Sequence, residues 1–118
     1  MPFDDVLDAD VLGEIAGMGC DGLKELVDLY LTQADETVAS LRSAFQTDAV
    51  GEVAKLAHKL AGSSAACGAR GMMHALRTLE QRAKNNQLSD GDRSLTDVVE
   101  LLELSRRSFA RYTSTNCG

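Results

Sequence analysis

Apolar residues recur at steps of three and four along four successive stretches of this chain, the spacing that puts side chains on one face of an α-helix. Leu23, Leu26, Val27, Tyr30, Leu31, Ala34, Val38, Leu41 and Phe45 define the longest, a helix of about six or seven turns for which Asp21 is the expected N-cap. Val53, Leu56, Ala57 and Leu60 define a second, starting at Thr47 or Asp48. It ends at Gly68, because glycine has no Cβ to oppose a left-handed C′ residue. Met72, Leu76, Leu79 and Ala83 mark a third, fading at Asn85–Gln87. Leu95, Val98, Leu102 and Phe109 mark a fourth, opened by Ser89 with Asp92 three residues on. A shorter helix precedes them, capped by Asp8 and stopped by Gly17, Met18 and Gly19.

Short connections force consecutive helices to run antiparallel, since a few residues cannot return the chain to the far end. The expected fold is all-α: an antiparallel up-down four-helix bundle with a short extra N-terminal helix. It forms one domain over residues 1–118, with residues 1–7 and 113–118 frayed. One proline, no tryptophan and 4% aromatic residues exclude a strand-rich sandwich.

A net charge of −6, from 18 acidic and 12 basic residues, argues against nucleic acid as a partner. The chain lacks a long uncharged apolar run and an N-terminal signal sequence, so it is expected in the cytoplasm without membrane insertion. Cys20, Cys67 and Cys117 are widely spaced and form no metal-binding motif, and three ordinary thiols in a reducing compartment are expected.

On the helix built around Val53, Ala57, Leu60 and Ser64, His58 falls roughly 140° from the apolar stripe and faces solvent. Its neighbours one turn away are small: Ala54, Ala61 and Gly62. A glycine inside a helix costs about 1 kcal/mol against alanine, and steric access to the His58 ring is one reason to keep it; loosening of the helix is the other. Lys55 and Lys59 put positive charge beside the ring, able to pair with an anion added to it, although two lysines on an exposed face are also ordinary. Arg70, Arg77 and Lys84 recur at sevens on the next helix, and a hairpin about Gly68 brings Arg77 or Lys84 level with His58. His74 reads as a surface histidine, and Ser63 and Ser64 as hydroxyls bonding back to helix carbonyls.

The string AHKLAGSSAACGA, residues 57–69, resembles the histidine-containing phosphotransfer (HPt) family, with His58, Leu60, Gly62, Ser63, Ser64 and Gly68 in register. Leu79 and Glu80, and the helix order, extend the resemblance over nearly the whole chain. One position departs: the lysine three after the family's histidine is Ala61 here.

The resemblance implies that a nitrogen of His58, Nε2 as in the family, accepts a phosphoryl group from a receiver-domain aspartyl phosphate and passes it to another receiver aspartate. Lys59, Lys55, Arg77 and Lys84 are the candidates to stabilise the phosphoryl group, and Gly62 gives it room. Ala54, Ala61, Ile15 and Met18 are the candidate docking residues, the core remaining an equal reading of Met18. The chain would be a carrier rather than an enzyme, with no cofactor and no metal of its own, Mg²⁺ belonging to the receiver. Partners would be receiver domains and a hybrid sensor histidine kinase, and the chain a monomer, freestanding or the end of such a kinase. The alternative is a helical adaptor that binds a receiver without accepting phosphate. A metal or redox site built from His58, His74 and the cysteines is a weaker third reading, because no pair has the helical spacing of ligands.

Overall fold

The computed structural model describes residues 6–88 and 91–117, and every regular element among them is a helix. In chain order these are α1 (Ala9–Gly17), α2 (Cys20–Gln46), α3 (Val50–Ala66), α4 (Arg70–Lys84) and α5 (Gly91–Asn116). The four long helices form the antiparallel bundle, and α1 lies at the end where α3 turns into α4.

Local chemistry explains most of the boundaries. The Asp8 carboxylate accepts the amides of Asp10 and Val11 at 3.1 and 3.3 Å, satisfying donors that the first turn of α1 would leave open. The Asp8 amide donates to the Gly68 carbonyl at 2.8 Å, and Arg70 pairs with the Asp8 carboxylate at 3.2 Å, so α1 is tied to the α3–α4 turn. That turn is a Schellman motif: the Ala69 amide reaches back to Ser64 and the Gly68 amide to Ala65. Gly68 has φ +76°, and a Cβ there would lie 3.1 Å from Leu12 Cγ, so both conformation and packing require glycine.

Two expected caps are not used. α2 starts at Cys20 with Gly19 at its N-cap, φ 132°, and Asp21 stands inside the first turn without capping it. Thr47 and Asp48 finish α2 instead of starting α3. The Thr47 hydroxyl bonds back to the Ser43 and Ala44 carbonyls, and Asp48 takes φ +53° to reverse the chain. The Ser89–Asp92 capping box lies outside the described residues. At the expected frayed ends, Val6 and Leu7 are buried and α5 continues through residues 113–116.

The apolar faces meet along the bundle axis, with Leu23, Leu41, Leu60, Leu76 and Val98 fully covered. α2 and α5 form a seam along their length. Tyr30 and Phe109 meet edge to face with ring centroids 6.1 Å apart, and Arg106 pairs with Asp35 at 2.6 Å. At the end of this seam Cys20 and Cys117 form a disulfide, with their Cα atoms 5.6 Å apart. The expectation of three free thiols is therefore corrected. The two cysteines are 97 residues apart, and only the antiparallel pairing of α2 and α5 brings them together. Cys67 is the free thiol, buried in the core, where loss of solvation pushes it up to about 11.

Candidate functional site

His58 lies on the outer face of α3 with its side chain 76% exposed. The imidazole is not isolated. Its Nδ1 is 3.0 Å from Oε2 of Glu80 on α4, and the same oxygen receives the Lys84 ammonium at 2.8 Å. The antiparallel α3–α4 hairpin sets this register: the Gly68 turn places residue 58 opposite residue 80, and α4 then carries Lys84 one turn further on. Glu80 sits at the edge of the core stripe, directly after fully buried Leu79, and only 12% of its side chain is exposed.

The Glu80 carboxyl is held below the usual glutamate range first by the bond from Lys84, and then by His58, against the desolvation that would raise it. An ionised carboxylate can only accept hydrogen bonds, so Nδ1 must be the donor. A neutral imidazole protonated at Nδ1 carries its free lone pair on Nε2. Glu80 therefore fixes the tautomer and orientation of the ring, and its Nδ1 contact commits Nε2 to be the nitrogen open to a reaction partner.

Ala54, Lys55, His58, Glu80 and Lys84 together line an open groove of about 320 Å³. The structure thus brings Lys55 and Lys84 to the ring, and half-buried Ala54 to the groove wall. Lys59 and Arg77 are exposed but do not line it. Lys55, Lys59 and Arg77 make no ion pair among the described residues.

Ala61 corrects an expectation. It is 3% exposed and belongs to the core, so it presents no surface to a partner. Its direction on α3 is only about 60° from that of His58 on the α4 side, and α4 covers it. A single apolar stripe centred on Ala57 and Leu60 missed this because α3 packs against two neighbours, α2 and α4.

Gly62 is exposed, stays in the helix, and a Cβ added there would meet nothing within 4 Å. Neither backbone geometry nor packing calls for glycine at this position, which leaves the space it opens beside His58. Ile15 is half-buried against the core, whereas Met18, between α1 and α2, is 86% exposed.

Two features escaped sequence reasoning. Glu80 was visible only as half of a Leu-Glu match, although its i, i+4 pairing with Lys84 was a local signal for a carboxylate held in place. Leu26 belongs to the apolar repeat of α2, yet Leu26 and Leu29 are exposed at 39% and 64%. They border a groove of about 220 Å³ with Ser63 and Ala66 of α3. His58, Gly62 and Ala66 follow one another at four-residue steps, so a strip of small residues leads from the ring to this apolar edge.

His74 is exposed in a groove of about 440 Å³ between α4 and α5, near Asp97 and Glu100, and its ring has no hydrogen-bond partner among the described residues. The histidines and cysteines are not gathered into one centre, and the described residues contain no group of three or more His, Cys, Asp or Glu able to hold a metal ion. No helix among them is long and apolar enough to cross a membrane.

Comparison with known proteins gives concordant findings. The family model described as "Hpt domain" matches residues 25–108. The phosphorelay protein LuxU of Vibrio harveyi is 24% identical over 111 residues, spanning 93% of this chain and 97% of that protein. The crystal structure of histidine-containing phosphotransfer protein B from Pseudomonas aeruginosa PAO1 superposes with a TM-score of 0.86 at 22% identity, covering 92% of this chain and 95% of that one. At that identity the likeness speaks for the fold.

Proposed function

The chain belongs to the Hpt domain family and acts in phosphorelay signalling, and from that premise we propose that Nε2 of His58 is the atom that carries the phosphoryl group. The observation that supports this most is the 3.0 Å contact between His58 Nδ1 and Glu80 on an otherwise open imidazole.

The step follows from that tautomer. The Nε2 lone pair attacks the phosphorus of a receiver's aspartyl phosphate. A P–N bond forms as the P–O bond to the aspartate breaks, and the aspartate leaves as a carboxylate. Nε2 has no proton to shed, and Nδ1 keeps its own. The phosphorylated ring then carries positive charge, which the adjacent Glu80 carboxylate balances in the manner of a carboxylate behind a catalytic histidine. The reverse step delivers the group to a second receiver.

Such a transfer needs positioning and charge stabilisation more than covalent assistance. Lys55 and Lys84 at the groove are placed to meet phosphoryl oxygens, with Lys59 and Arg77 further out. Ala61 leaves out the lysine that the family has there, and Lys55 and Lys84, which line the groove with His58, would supply the compensating charge. We assign Mg²⁺ and the acidic pocket to the receiver, and treat this chain as a carrier without cofactor rather than an enzyme.

The receiver would dock over the strip His58, Gly62 and Ala66, reaching exposed Leu26 and Leu29 on α2 and extending toward Met18. Leu26 and Leu29 border Ser63 and Ala66, up to about two turns along α3 from His58, and small residues on α3 allow close approach. We infer a cytoplasmic monomer that serves receiver domains and a hybrid sensor histidine kinase.

Incubation with a phosphorylated receiver tests the reading. An acid-labile, alkali-stable label should appear on this chain and be absent from His58→Gln. Receiver binding without any label would instead make the chain an adaptor.

A further inference from the structure

Among the described residues, the Cys20–Cys117 disulfide has no part in the chemistry at His58, and its setting differs from that of a core staple. It joins the first residue of α2 to the residue just beyond α5. Both cysteines are only partly buried, unlike Cys67, and exchange with a small thiol requires access to the sulfurs. The contacts that hold the α2–α5 seam, Tyr30 against Phe109 and Asp35 with Arg106, lie further along both helices and do not depend on the bridge. Gly19, with φ 132°, precedes Cys20 and separates it from α1. Loss of the bridge would therefore free the last turn of α5 and residues 20–22 at the start of α2, leaving buried Leu23 and Phe109 in place. The third cysteine cannot compete for pairing, because Cys67 is 2% exposed within the core.

We propose that Cys20 and Cys117 are a site of reversible thiol–disulfide exchange with a small-molecule disulfide, forming a clasp that opens and closes in the folded protein. In the closing direction, the thiolate of one cysteine attacks a sulfur of the small disulfide, giving a mixed disulfide and releasing one small thiol. The second cysteine, as its thiolate, attacks the protein-side sulfur, forming the Cys20–Cys117 bond and releasing the second small thiol. Two protein thiols are oxidised, one small disulfide is reduced to two thiols, and the two protons lost by the protein thiols are taken up by the departing thiolates. Opening is the same sequence in reverse.

The test equilibrates the full chain in buffers of graded reduced and oxidised glutathione, quenches with acid, and counts thiols by maleimide trapping under denaturing conditions with mass spectrometry. We expect one thiol, Cys67, in oxidising buffer and three in reducing buffer, with unchanged helicity. Amide hydrogen exchange should rise at least tenfold on reduction in residues 113–117 and stay constant at residues 95–102. A Cys20→Ser, Cys117→Ser double variant should show the reduced exchange pattern in every buffer. Three thiols at every glutathione ratio would overturn the proposal. A bridge that yields only after global unfolding, or an exchange pattern indifferent to reduction, would do so equally.

Discussion

Two exposed histidines lie on adjacent helices of one hairpin, yet their surroundings differ in every respect that matters to a nucleophile. His58 has its Nδ1 engaged by a nearly buried carboxylate, a glycine one turn away, and two lysines on the same groove. His74 looks into a larger groove with acidic residues in the lining, its ring making no hydrogen bond among the described residues. Exposure alone therefore does not distinguish them. The ordered tautomer and the cleared approach do: the first is set by Glu80 on α4, the second by Gly62 on α3 itself.

This contrast can be broken or sharpened by substitution. The largest effect is expected from exchanging the rings. His58→Gln should abolish phosphoryl label transferred from a receiver, while His74→Gln should retain wild-type labelling within about twofold, a difference of roughly 0.4 kcal/mol. Label lost from both variants would dissolve the distinction.

Gly62→Gln should come next. A long side chain in the space beside the ring should slow transfer at least tenfold, about 1.4 kcal/mol in the barrier, with far-UV circular dichroism and melting little changed. Gly62→Ala sharpens the same point. With nothing within 4 Å of the added methyl, it should raise stability by up to about 1 kcal/mol in urea unfolding. Destabilisation by alanine would assign Gly62 to the fold.

Glu80→Gln keeps a hydrogen-bond acceptor for Nδ1 but removes the charge that balances the phosphorylated ring. Transfer should fall by about tenfold, again roughly 1.4 kcal/mol, with receiver affinity preserved. An unchanged rate would reduce Glu80 to a structural contact.

The smallest effect is on stability against pH. Glu80 is held below its ordinary value of 4.5, so between that value and the folded one the unfolded chain binds more protons than the folded chain. The stabilisation from the Glu80 contacts is complete above pH 4.5 and disappears as pH falls through the lower, folded value. Glu80→Gln should flatten this acid limb of the urea-unfolding profile. It should not erase it, because Asp8 is depressed by its own amide contacts and Arg70.

The helices, their order and the outward direction of His58 were legible because a period of 3.6 residues is written into the positions of Val53, Ala57 and Leu60. The α3–α4 turn was legible because Gly68 meets a backbone requirement that few residues satisfy. What crosses between helices was harder to read. Ala61 is buried because α4 lies over it, Glu80 matters because the hairpin register brings it to residue 58, and Leu26 is exposed because no helix among the described residues covers that flank of α2. Cys20 and Cys117 make the same point at greater range: their pairing belongs to topology, and no local spacing announces it. Caps failed where side chains had two choices, as with Thr47, whose hydroxyl turned back to α2.

The most direct measurement is the position of the phosphorus on the ring, read by ¹⁵N and ³¹P NMR of chain phosphorylated from a receiver. We expect coupling to Nε2 of His58 and a proton retained on Nδ1. Phosphorus on Nδ1, or on any residue other than His58, would contradict the role given to Glu80 and with it the proposed site.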